Sequence, residues 1–181
     1  VGGVGNQRQR DAAITAADQA LALDQSLRHA YAEKGLALFA KATEADNSDQ
    51  AYKEAMKPFL ALNRIENDHP LPLIHLYRSQ VERGQSPTET ARHALERAFV
   101  LAPFDHNLAF EVALMLAAEG QTDLAAMTLA PVAANPHGGK RADRANLLRN
   151  ALIKATPGTP FNPEPFLLAP AGLDDGGETG G

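Results

Sequence analysis

The chain's 181 residues suffice for one domain to bury a core, and 44% hydrophobic content with only 6% aromatics points to Ala and Leu packing rather than a β-sandwich. The absence of Cys excludes disulfides, thiolate metal sites and a Cys nucleophile, and is compatible with cytoplasm or periplasm alike. The net charge of −5 is uneven: residues 156–181 hold Glu164, Asp174, Asp175 and Glu178 with no Lys or Arg, leaving −1 on 1–155, a balance that favours neither nucleic acid nor an anionic membrane surface.

Residues 1–8 are Gly-rich and read as a flexible lead-in. With no basic and apolar leader at Val1, the expectation is a chain already processed or a piece of a longer protein. From Arg10, DAAITAADQALALDQ has an Ala-rich apolar stripe (Ala13, Ile14, Ala17, Ala20, Leu21) and predicts a strong helix. Ser26 is placed to cap a second helix over about Leu27–Thr43, with Gly35 inside it. Residues 42–50, ATEADNSDQ, read as a polar loop. A third helix is expected over Asp49–Ile65, kinked at Pro58.

Asn67-Asp68-His69-Pro70 ends that helix, and LPLIHLYRSQVERG opens a fourth. Ser86-Pro87-Thr88-Glu89 has the form of a capping box with Pro at the first helical position, so the fifth helix is expected to start there and run to Pro103. Phe104–Ala118 carries Leu108, Val112, Met115 and Leu116 at helical spacing. Glu119-Gly120-Gln121 interrupts the pattern, and Thr122–Ala134 resumes it as far as Asn135-Pro136. Lys140–Lys154 predicts a last helix, with Arg141, Arg144, Asn146, Arg149 and Lys154 on its polar face and Ala145, Leu148, Ala151 and Leu152 on the other. Residues 156–181, rich in Pro and Gly, read as a mostly disordered acidic tail holding one apolar cluster, Phe166-Leu167-Leu168. No run of about 18 apolar residues is present, so no helical membrane span is expected.

Residues 103–136 make a helix, a Gly turn, a second helix and a Pro stop in about 34 residues, a period of helical repeats. With Ala109, Val112, Ala113, Leu116, Ala125, Leu129, Val132 and His137 at the repeat positions, this stretch resembles a tetratricopeptide repeat (TPR). Tyr31, Gly35 and Leu38, then Ala55, Phe59 and Leu62, then Ala94, Leu95, Ala98 and Pro103 extend the resemblance upstream. Ala13, Ala17, Ala20 and Leu21 match only the second half of a repeat. The resemblance implies an all-α, right-handed helical-hairpin solenoid of about three and a half TPR-like repeats over residues 9–155, closed by the last helix. A second resemblance rests on Asn135-Pro136-His137-Gly138-Gly139 and the long 42–50 loop. It is to the C-terminal repeats of exported bacterial proteins that bear a peptidase-like N-terminal domain, and it covers no catalytic motif here.

None of the six histidines pairs with another at i, i+4, and no H-E-x-x-H or G-x-S-x-G occurs. Gly138-Gly139-Lys140-Arg141 opens a helix, where free N–H groups favour anions. It lacks the full phosphate-loop pattern and a preceding strand, so it reads first as an inter-helix turn. The expectation is a non-catalytic protein, with no cofactor and no metal.

By resemblance, the first helix of each pair lines a concave groove that takes a peptide or helix. The positions are Glu33, Leu36 and Phe39, then Ile74, His75, Arg78 and Val81, then Asn107, Phe110, Glu111 and Leu114. The Lys and Asn that hold a C-terminal carboxylate in chaperone-binding members are missing at Ala32, Leu36, Ile74, Arg78, Phe110 and Leu114. The groove is therefore expected to be mainly apolar and to bind a protein or peptide partner as a scaffold, in bacterial cytoplasm or periplasm. Three other readings stand beside it: an accessory region of a peptidase-like enzyme, a self-association module built on the unpaired first helix, and a groove filled by Phe161–Leu168.

Overall fold

The computed structural model describes residues 2–44 and 49–167. Among them the chain is all-α, without strands, and divides into two compact units, residues 1–103 and 104–181. In the first unit, α1 (Gly2–Leu23), α2 (Arg28–Glu44), α3 (Asp49–Ile65), α4 (Pro70–Val81) and α5 (Glu89–Leu101) pack in sequence, each on the next. In the second, α6 (His106–Ala118) packs on α7 (Thr122–Ala133) and α7 on α8 (Gly139–Lys154), with a single turn, α9 (Glu164–Leu167), beside α8.

Helix α1 begins at Gly2, across the segment expected to be a flexible lead-in. Once the Ala-rich part has nucleated, each further residue adds a hydrogen bond, so the helix extends through glycine. Three ion pairs tie it antiparallel to α2: Arg10 with Glu44, Lys41 with Asp11 at 2.6 Å and Lys34 with Asp18 at 2.5 Å. Such exposed pairs contribute little singly, but their spacing fixes the register of the hairpin. Ser26 does not act as the expected cap. Its hydroxyl and its amide N–H both donate to the Asp24 carboxylate, at 2.7 and 2.8 Å, and depress that carboxyl's pKa. The loop expected over 42–50 is shorter, because Ala42–Glu44 complete α2 and Asp49 and Gln50 begin α3; residues 45–48 lie outside the described residues.

The core between α2 and α3 of this unit is aromatic. Phe39, Ala42, Tyr52, Ala55 and Phe59 form one buried cluster against Leu38, Met56 and Leu71. Gly35 makes room for it: a Cβ there would stand 2.6 Å from Cε1 of Phe59. Helix α3 runs through Pro58 without interruption, and Pro58 itself is buried. Three elements are also tied at one carboxylate. Thr43 of α2 and Tyr52 of α3 both donate to Glu82 Oε2 at the end of α4, at 2.7 and 2.8 Å. Arg83 stacks over the Tyr52 ring and reaches Asp49 at 2.7 Å.

Helix α5 starts at Glu89, not at the Ser86 box. The residue whose side chain caps it is Thr88, which accepts from the Ala91 N–H at 3.3 Å. Thr88 is itself held by Gln80, whose carbonyl oxygen accepts the Thr88 N–H at 2.7 Å. In the second unit Asp105 caps α6 through the N–H groups of Asn107 and Leu108, so that helix begins two residues later than the apolar pattern alone indicates. Its core with α7 and α8 is small and aliphatic: Ala109, Val112, Ala113, Leu116, Ala125, Leu129, Val132, Ala145, Leu148 and Leu152 are buried.

The tail read as disordered is in part docked. The Gly158 N–H donates to Gly120 O and the Phe161 N–H to Ala117 O, both at 2.9 Å, and Phe161 stacks on Phe166. Gly120 has φ +77, and a Cβ on it would lie 2.8 Å from the Gly158 carbonyl carbon. Glycine is therefore required there twice, for the left-handed turn and for the passing chain. Residues 168–181 lie outside the described residues.

Candidate functional site

The residues expected to line a groove separate into three environments. Glu33 and Leu36 stand on the wall of an open, mostly apolar furrow between α1 and α2. One part of it, about 460 Å³, is lined by Ala13, Ala16, Ala17, Ala20, Leu27, His29, Ala30 and Glu33. The adjoining part, about 360 Å³, shares Ala13 and Glu33, adds Leu36, Ala37 and Ala40, and is polar on its α1 side, where Asn6, Gln9 and Arg10 stand. Leu36 is 37% exposed there. The furrow exists because alanine sets the helix spacing: small side chains let α1 and α2 approach yet leave the valley between them unfilled. Glu33 meets His29 one turn earlier at 3.7 Å.

Phe39, Ile74 and His75 are buried, and their burial takes them out of any surface open to a partner. Phe39 meets His75 edge-on with ring centroids 4.6 Å apart, Phe59 stacks on the His75 ring at 4.3 Å, and Phe39 and Phe59 also meet edge-on. The reason is long-range. Helix α3 crosses at Gly35 and brings Phe59 between α2 and α4, so the faces bearing Phe39 and His75 close on each other. His75 Nδ1 lies 2.9 Å from Leu71 O. A carbonyl only accepts, so this nitrogen carries the proton of a neutral imidazole. Burial lowers the His75 pKa to about 4, with the Leu71 carbonyl opposing, the Arg78 charge adding to the fall and the Glu82 charge opposing it. Arg78 is partly exposed on the same helix, and Val81, at its end, is 44% exposed.

In the second unit Asn107, Phe110 and Glu111 come together on one side of α6, facing Lys140, Arg141 and Arg144 of α8 across a cleft of about 460 Å³. Leu114, one turn along, is half-buried beside this group on α6. Asn135 Nδ2 donates to His106 Nδ1 at 3.4 Å and so ties the α7–α8 turn to the start of α6, while Asn146 Nδ2 of α8 donates to Ala133 O at the end of α7 at 2.8 Å. Gly138 permits that turn to be tight, because a Cβ on it would meet Ala142 Cβ at 2.7 Å.

The basic side of this cleft, Lys140, Arg141 and Arg144, is not among the groove positions that the resemblance implies. In the sequence Arg144 stands out only as part of a polar helix face, and Lys140 and Arg141 only within a Gly-Gly-Lys-Arg helix start that reads first as an inter-helix turn; what the sequence does not carry is the adjacency of α8 to the start of α6. Among the described residues no three His, Asp or Glu side chains are grouped to hold a metal ion, and no helix is long and apolar enough to cross a membrane. Comparison with family models, curated proteins and solved structures finds no match to this chain.

Proposed function

We propose that this chain is a non-catalytic protein-interaction scaffold built from TPR-like helical hairpins, which binds a peptide or helix of a partner protein. The observation that carries the reading is the open alanine furrow between α1 and α2. Its floor is Ala13, Ala17 and Ala30, and Glu33 and Leu36 stand on its wall. An apolar valley between two rigid helices suits the apolar face of an amphipathic helix, and a carboxylate at its edge suits a basic residue flanking that face. The sequential hairpins, the small residues at the crossings and the Gly and Pro turns support the repeat reading.

Selection of displayed peptides on the full chain tests it. Enriched peptides are expected to be amphipathic, with binding lost in Ala16→Glu and in Leu36→Glu, both exposed positions whose change leaves the core intact. Peptides that bind saturably but ignore both substitutions, or no saturable binding at all, would remove the furrow as the binding surface.

A second reading is favoured by the solvent side of α1, where Ala12, Ala16, Ala22 and Leu23 are exposed and Leu23 is 90% so. On that reading the furrow receives α1 of a second copy. Light scattering separates the two. A mass that doubles with concentration and returns to the monomer in Leu23→Glu favours self-association, and a constant monomer mass disposes of it.

A further inference from the structure

All the positive side chains of residues 104–181 stand on one helix. Lys140, Arg141, Arg144, Arg149 and Lys154 belong to α8, and no other Lys or Arg occurs in that part of the sequence. Their distribution along α8 is uneven in a useful way. Lys140, Arg141 and Arg144 lie within its first two turns and line the α6–α8 cleft, with Lys140 and Arg141 exposed and Arg144 half-exposed. The start of α8 carries no capping side chain, its N-cap being Gly138. The start of α6 is different, being already capped by the Asp105 carboxylate.

The opposite wall sets what kind of anion fits. Asn107 offers an amide, Phe110 a half-buried ring, and Glu111 the single carboxylate of the lining. Against three cations, Glu111 leaves the lining with an excess of positive charge and biases the anion toward the α8 side. The cleft is open and wide enough for several side chains, and one wall is aromatic. A small inorganic anion would leave Phe110 uncovered, whereas a carboxylate side chain with an apolar neighbour would satisfy both walls.

We infer that the α6–α8 cleft is a docking site for an acidic segment of a partner protein, in which Asp or Glu side chains meet Arg141, Arg144 and Lys140 while an adjacent apolar side chain covers Phe110. The inference rests on the interaction-scaffold reading and names the partner's chemistry at a second place on the chain. Charge complementarity carries it: with Lys140, Arg141 and Arg144 against Glu111 alone, the lining favours an acidic segment over a neutral or basic one.

Fluorescence anisotropy of the full chain tests this with a labelled peptide in which aspartates flank a pair of leucines. Saturable binding is expected, weakening with added salt and falling about tenfold or more in the double variant Arg141→Glu, Arg144→Glu. The same peptide with lysines in place of the aspartates is expected not to bind. Glutamate near a helix N-terminus is favourable, so the variant should melt with the parent. Arg144→Gln, which removes one charge without reversing it, should weaken binding to a smaller degree, and Arg144→Lys should restore most of it. Undiminished binding by the folded double variant overturns the proposal. Displacement by inorganic phosphate at concentrations like those of the peptide overturns it in favour of a small-anion site. Binding that appears only when residues 168–181 are removed overturns it in favour of the chain's own acidic tail as occupant. Peptides selected on the α1–α2 furrow provide the separation. If they still bind the charge-reversed chain while the acidic peptide never bound the parent, this proposal fails and the scaffold reading stands.

Discussion

Helices α2–α4 and helices α6–α8 each hold successive helices together, with opposite choices of side chain. The first set packs around rings: Phe39, Tyr52 and Phe59, with the imidazole of His75 against two of them. The second packs around Ala109, Ala113, Ala125 and Ala145, with Leu, Val and Met filling the spaces left over. A ring core places a few large pieces whose loss opens a cavity, and here one of the pieces titrates. An alanine core places backbones close together, and its weakness is added volume. The same difference reaches the surface. Where alanine lines the helices without a ring between them, as along α1 and α2, an open valley remains. Where Phe59 fills the valley between α2 and α4, the expected groove positions Phe39 and His75 become core.

The sharpest way to break the comparison is to remove the central ring. Phe59→Ala should destabilise the first unit by about 3–5 kcal/mol, read as a fall in the urea midpoint at constant slope. Because Phe59 is also what a Cβ at Gly35 would strike, Gly35→Ala should be harmful in the parent and milder in the Phe59→Ala background. Additive effects would show that the crossing at Gly35 is set by something other than that ring.

Next in size is the response to pH. Folded His75 has a pKa of about 4, below the 6.5 of an ordinary histidine, so the unfolded chain takes up the proton first as the pH falls. The stabilisation is thus complete above pH about 6.5, declines as the pH drops, and is gone near pH about 4, a loss of about 3 kcal/mol. His75→Phe keeps a ring against Phe39 and Phe59 and should flatten that part of the pH profile. Hydrogen exchange should localise the acid weakening to α2–α4 and leave α6–α8 protected. Equal weakening of both sets would show that the imidazole is not its source.

The alanine core is tested from the other side. Ala125, fully buried on α7, should tolerate nothing larger, and Ala125→Leu should cost about 1–3 kcal/mol through displaced helices. If this variant melts with the parent, the packing of α6 on α7 is looser than its small residues imply.

Much of this was legible from the residues alone. Alanine periodicity, and Gly or Pro at five of the seven interruptions, place eight helices in order, because those signals are local. What the sequence could not carry was which face each helix turns to its neighbours. Phe39 and Leu36 stand three residues apart on α2, both at positions that the resemblance assigns to a groove. Only the approach of Phe59 and His75, from α3 and α4, makes one core and leaves the other open. The tail shows the same limit. Its Pro and Gly content reads as disorder, but Gly120 leaves a backbone-sized gap in which Gly158 and Thr159 lie.

Helix α5 gives the smallest effect and the cleanest discrimination. Two residues compete for the role of cap, Ser86 and Thr88, and the Ser-Pro-Thr-Glu pattern favours the first. In the structure Thr88 holds the extended backbone of a cap, at φ −66 and ψ 158, and its side-chain oxygen accepts the Ala91 N–H. Gln80 of α4 bonds both the Thr88 N–H and its hydroxyl oxygen, so the cap also joins α5 to the helix before it. A pattern confined to neighbouring residues cannot contain that second attachment. Thr88→Ala should therefore cost about 1 kcal/mol, and Ser86→Ala should leave the melting temperature nearly unchanged. Gln80→Ala should lower stability by a smaller amount and make the loss on Thr88→Ala smaller, since the two side chains act on one helix start. The reverse ranking, with Ser86 the sensitive position, would return the start of α5 to the sequence box and sever that link to α4.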